Sequence, residues 1–180
     1  MTEADRKRLF DAIREVKGTA LTQRDVGLIN EALGYPVEPV NGMPDDQLIE
    51  DLKRDEGLRL TAYKDTVGVW TVGYGHAHVA PGTVWTREEA ERMLRLDAAK
   101  HGMELEKRAP WIASLDPVRR RVLWNMAFNL GVNGLLGFKN TLAMIQRGEY
   151  AKAADAMLKS KWSRQVGQRA QRLANQMRDG

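Results

Sequence analysis

One short stretch decides what this chain can fold into. Residues 58–76, LRLTAYKDTVGVWTVGYGH, alternate in polarity and gather β-branched and aromatic residues around a turn at Asp65–Gly68. That is the pattern of a small antiparallel sheet. Around it the periodicity is helical. In front, Asp45 or Asp46 can cap a helix with Leu48, Ile49 and Leu52 on its inner face and Glu56-Gly57 at its end. The implied class is α+β, with one small sheet set into a mostly helical chain.

Downstream, Thr86 and Glu89 form a capping box for a helix from Arg87 to about His101. Asp116-Pro117 is a strong helix start, with Asp as cap and Pro in the first turn. The run behind it, VRRRVLWNMAFNL, is largely apolar after its basic first turn, ends at Gly131, and reads as the central buried helix. Shorter helices are expected around 138–147, 149–159 and 168–178, separated by Gly148 and by the connection SKWSRQVGQ. Upstream, residues 4–17 place Leu9, Phe10, Ile13 and Val16 at helical spacing. A second helix carries Val26, Ile29 and Leu33, and the proline-rich YPVEPVNGMP follows as a linker. The chain thus divides into a helical extension with linker, residues 1–43, and one domain, residues 44–180. A DNA-reading helix pair in the extension is disfavoured, because its second helix shows acids where a groove reader needs basic and amide side chains.

Composition narrows the class further. With 29% charged and 43% hydrophobic residues, the 180-residue chain is globular rather than disordered. No apolar run approaches the roughly 18 residues needed to span a bilayer, so stable membrane insertion is not expected. The first residues, MTEADRKRLFDAIREVKG, are charged throughout and resemble neither a signal peptide nor a signal anchor. Zero cysteines fit folding completed in a reducing cytoplasm. Net charge is +4, but residues 117–180 hold twelve Lys and Arg against three acids. That half suits a polyanionic partner or, equally, a solvated helical surface; charge alone does not choose.

The chemistry concentrates at the sheet. Glu56 ends a helix, Asp65 follows after eight residues, and Thr71 after five more. An acid facing a base and a hydroxyl across a hairpin is what hydrolysis of a glycosidic bond requires. Taken singly, each residue has an ordinary reading as helix end, turn or strand; the joint pattern reverses this. With the flanking GLRL, YKDT and G-x-W-T-x-G-x-G-H, it resembles the phage-type lysozymes, the endolysin muramidases typified by the T-even phages. The resemblance runs from Pro44 through WNMAFNLGVNGLLGFKNT to LKSKWSRQVGQRAQR, leaving the first 43 residues uncovered.

The resemblance implies a lysozyme-like fold, a small sheet lobe and a larger helical lobe across a cleft, joined by the helix from Arg87. It implies that Glu56 donates the proton while Asp65 and Thr71 hold and activate the attacking water, with inversion at the anomeric carbon. Asp55, Asn125, Arg169 and Arg172 would form the polar network behind Glu56, although an arginine there favours the ionised acid and burial has to offset it. Phe128, Asn129 and Trp162 match positions lining the sugar cleft, with Asn129 standing where glutamine is commoner and Ala77 where a larger apolar residue is familiar. His76 matches a structural histidine paired to an acid, here Asp97. No metal and no cofactor is implied. The implied substrate is peptidoglycan, cut between N-acetylmuramic acid and N-acetylglucosamine, and the extension would pack on the enzyme or bind the wall. A monomeric enzyme made in the host cytoplasm would reach the periplasmic wall through a holin-like pore and lyse the cell. The alternatives are a lytic transglycosylase, which needs no water-holding pair, and a non-catalytic wall-binding or nucleic-acid-binding protein.

Overall fold

The computed structural model describes Asp11, Ile13, Met43–Thr66 and Gly68–Gly180. The chain forms two compact units, Met1–Met43 and Pro44–Gly180. Both expected N-terminal helices and most of the proline-rich linker lie outside the described residues, apart from Asp11 and Ile13, which are helical.

In the second unit the order is α1 (Asp46–Glu56), β1 (Arg59–Lys64), β2 (Trp70–Gly73), β3 (His76–Ala77) and α2 (Arg87–Arg108). A 3-10 turn (Pro110–Ser114) leads to α3 (Pro117–Leu136), α4 (Lys139–Gln146), α5 (Tyr150–Lys159), α6 (Lys161–Val166) and α7 (Gln168–Asp179). This is the expected α+β lysozyme-like architecture.

The helix starts follow their caps. Asp45 Oδ1 accepts the Leu48 N–H at 2.7 Å, and the Thr86–Glu89 capping box closes in both directions. Asp116 accepts from the N–H groups of Val118 and Arg119 in front of the N-terminal proline. Each such cap contributes about 1 kcal/mol.

Three elements depart from the sequence reading. Helix α2 runs on to Arg108 rather than stopping near His101, because Gly102 stays helical for a packing reason given below. Gly131 does break the central helix (φ 71°, ψ 157°), yet a further turn to Leu136 continues beyond it. Residues read as a connection form α6, capped where Ser160 Oγ accepts the Ser163 N–H at 3.0 Å.

The sheet is antiparallel in the order β1-β2-β3. Lys64 pairs with Trp70 and Tyr63 with Thr71, and on the other side Thr71 pairs with Ala77 and Val72 with His76. Thr71 is therefore on the central strand. The helical core gathers Ile49 and Leu52 from α1, Leu105 from α2, Leu123 and Met126 from α3 and Met177 from α7, each at 1% exposure or less. Each contributes on the order of 1.5–3 kcal/mol by burial. Helix α1 packs against α3 and α2 in this core, and the chain passes from its last residue through Gly57 into β1.

Candidate active site

Glu56 is that last residue. Gly57, with φ 68°, turns the chain out of the helix directly after it, a conformation that a side chain would strain. The Glu56 side chain keeps 22% of its surface exposed, and its Oε1 accepts from Arg169 Nη1 at 2.7 Å. Its other oxygen faces the turn between β2 and β3, where a Cβ added to Gly75 would stand 4.0 Å from Oε2. One oxygen is thus held and the other is turned toward the sheet.

Arg169 is a buried cation, 6% exposed, on the first turn of α7. Its guanidinium serves three groups at once: Glu56, Asp55 Oδ2 at 3.2 Å and Asn125 Oδ1 at 2.9 Å. Asn125, fully buried on α3, returns its Nδ2 to Asp55 Oδ2 at 3.4 Å. Arg172, one turn further along α7, closes on Asp55 Oδ1. The structure therefore brings Asp55, Glu56, Asn125, Arg169 and Arg172 together from three helices. A planar guanidinium with five fixed donors suits this sharing in a way an ammonium does not.

Asp65 and Thr71 are tied to one residue. Asp65 Oδ1 accepts the Val69 N–H at 2.8 Å, and the Thr71 hydroxyl donates to the Val69 carbonyl at 3.3 Å. The turn closes between them, with Asp65 N–H on Val69 O at 2.9 Å. Thr71 is 4% exposed. The carboxylate and the hydroxyl are thus anchored to the N–H and the carbonyl of the same residue.

His76 Nδ1 lies 2.7 Å from Asp97 Oδ2, joining β3 to α2, and its ring packs at a 41° tilt against that of Trp85, centroids 5.3 Å apart. Trp162 is 4% exposed and donates Nε1–H to Asn129 Oδ1 at 2.8 Å. With Leu130, Phe138, Lys139 and Gln165, Trp162 lines an open groove of about 660 Å³. The Phe128 ring lies 5.5 Å from that of His101 on α2. Among the described residues no group of three or more His, Cys, Asp or Glu could hold a metal ion, and none of the helices is long and apolar enough to cross a membrane.

Sequence reasoning missed the part played by Val69 and Gly75, whose backbones frame the site. It also missed Arg54, whose Nε lies 3.8 Å from Asp55 Oδ1, and a second buried acid, Asp51. The glycine signature was present in G-Y-G-H; nothing local marked the other three.

Residues 53–179 match the phage lysozyme family model. The chain is 29% identical over 157 residues to the probable T4-type lysozyme 1 of Dictyostelium discoideum, covering 72% of this chain and 92% of that one. It is 34% identical over 114 residues to the endolysin of Acyrthosiphon pisum secondary endosymbiont phage 1, covering 63% and 75% respectively. It also shares 31% identity over 162 residues with the pre-baseplate central spike protein Gp5 of Enterobacteria phage T4, there covering 75% of this chain but 28% of the spike. The chain belongs to the phage lysozyme family. It is a lysozyme-type enzyme with a peptidoglycan-degrading role.

Proposed function

We propose that the enzyme hydrolyses the β-1,4 bond between N-acetylmuramic acid and N-acetylglucosamine with inversion, and that its role is lysis of the host cell. The observation that carries this reading is the division of the site into two braced halves. Glu56 is presented by α1 and steadied by Arg169, while Asp65 and Thr71 hang together on Val69 across the sheet. Glu56 protonates the leaving oxygen; Asp65 orients a water and accepts its proton, and Thr71 helps to hold that water. Two carboxylates of distinct role with room for a water between them define the inverting arrangement. The Asp55–Asn125–Arg172 cluster keeps Arg169 from swinging away.

Wall clearing by Glu56→Gln beside wild type tests the assignment, with product anomers followed by NMR. Gln cannot donate the proton, so turnover falls at least about 10²-fold while folding persists. A variant within a few-fold of wild type refutes the role of Glu56, and 1,6-anhydro ends in place of an inverted hydrolysis product would indicate transglycosylation. The protein acts as a monomer and reaches the periplasmic wall through a membrane pore made by another protein. Monodisperse mass in solution, and lysis of cells only when such a pore is co-expressed, check these two points. Residues 1–43 are an extension outside the catalytic unit; a chain beginning at Pro44 that fails to fold would overturn this.

A further inference from the structure

Asp51 is a buried carboxylate that the chemistry above does not use. It is 2% exposed, and acids are almost never so buried without compensation. It sits on α1 one turn before Asp55 and shares its face. Its Oδ1 accepts from Arg54 Nη2 at 2.8 Å and Gln47 Nε2 at 3.2 Å, both on the same helix. Its Oδ2 accepts from Gln176 Nε2 of α7 at 3.4 Å. Gln176 lies one turn beyond Arg172, whose guanidinium grips Asp55. Two polar rungs therefore join the same pair of helices: Asp55 with Arg169 and Arg172, then Asp51 with Gln176.

As a source of stability the second rung is poor. Its cation, Arg54, is 50% exposed, and buried ionic groups are often no better than apolar residues of similar size. On the α7 side, Arg172 Nε and Gln176 Oε1 are buried without a hydrogen-bond partner, which costs free energy. What the rung supplies is direction. Apolar burial is non-directional, whereas a hydrogen bond constrains the distance and angle between its partners.

We propose that Asp51 and Gln176 are positioning residues, setting the register of α7 along α1 so that Arg169 meets Glu56 and Arg172 meets Asp55 in a single arrangement. The catalytic consequence rests on Glu56 being the proton donor; the register itself does not.

The test uses the full chain and two variants, Asp51→Leu/Gln176→Met and Asp51→Asn. The double variant removes both polar partners, so its melting temperature equals or exceeds that of wild type. Arg169 Nε–H, which donates to Asn125 Oδ1, exchanges with solvent about tenfold faster by NMR as the register loosens. On soluble glycan kcat falls about tenfold with KM unchanged, since sub-ångström misplacement acts on the chemical step. Asp51→Asn keeps an acceptor for Gln176 and retains both the protection and kcat. Unchanged Arg169 protection in the double variant overturns the proposal, as does a kcat loss matched by loss of folded protein. If protection falls while wild type itself shows no turnover, the register role stands and the proton-donor assignment falls.

Discussion

Replacing Gly102 by alanine should destabilise the protein, against the usual rule. In a helix interior Ala is favoured over Gly by roughly 0.5–1 kcal/mol. Gly102 lies in the middle of α2, and a Cβ there would meet the Trp124 ring of α3 at under 3.0 Å. The indole has little room to retreat. It is 3% exposed, its Nε1–H donates to Glu106 Oε1 at 2.8 Å, and the Arg120 guanidinium covers its face at 4.9 Å while also pairing with Glu106. Overpacking of this kind costs about 1–3 kcal/mol, and displacing the ring also gives up a charge-assisted hydrogen bond worth about 1.5–3 kcal/mol. After the helix gain is subtracted, the net loss is about 1.5–5.5 kcal/mol, and its centre, about 3.5 kcal/mol, lowers the melting temperature by about 7–14 °C in a chain of this size. Thermal and urea unfolding of Gly102→Ala, Trp124→Leu and the double variant give the coupling directly. With the indole removed, Ala at 102 should become neutral or stabilising. A single Gly102→Ala variant that is as stable as wild type, or more so, refutes the argument.

Thr71→Glu would put a carboxylate where water is proposed to attack. A carboxylate within about 5–5.5 Å of its partner acts as nucleophile, so mass spectrometry should find a trapped sugar adduct, or NMR a switch to retention; full activity with inversion would remove Thr71 from the water site. Asp116 caps α3, so Asp116→Ala should cost about 1 kcal/mol, read as a lower urea midpoint. Burial pushes its carboxyl up, but the Arg119 N–H and guanidinium and the Val118 N–H outweigh this and hold it below its ordinary value of 3.8. A depressed folded value means that the contribution is complete above the unfolded value and fades as pH falls through the folded one. Asp116→Asn, which keeps an acceptor, should therefore flatten the stability profile below about pH 4 and change little at pH 7; a profile as steep as that of wild type would exclude Asp116 from acid unfolding.

Signals carried within one turn of chain were legible, and those carried by distant partners were not. The Thr86–Glu89 box and the Asp116-Pro117 start fixed two helix beginnings because caps act over three residues. The end of α2 was missed because Gly102 looks like a stop, and its real role is to admit an indole from a residue 22 positions away. Helix α6 was missed for a different reason: its cap, Ser160 on Ser163, is local, but six residues are too few for periodicity to register. In the site, the resemblance pointed to Asp55, Asn125, Arg169 and Arg172, which converge. Asp51 read as one more polar residue on a charged helix, since a single acid carries no mark of burial until α7 is laid against it.

The uneven charge has an answer that the sequence alone left open. The acidic first part and the basic last part pair with each other across the folded chain: Arg121 with Asp45, Arg120 with Glu106, Arg172 with Asp55 and Arg169 with both Asp55 and Glu56. Part of the basic surplus is thus neutralised within the molecule, and for Arg169 and Arg172 exchanging partners for a polyanion would mean breaking the polar contacts between α7 and α1. Lys139, Lys161 and Arg164 make no ion pair among the described residues, and the two lysines line the groove beside Trp162. Raised salt should screen what these exposed cations contribute to wall binding over a Debye length of about 10 Å or less, while the buried pairs around Glu56 stay intact. KM on walls should then rise with salt faster than kcat falls.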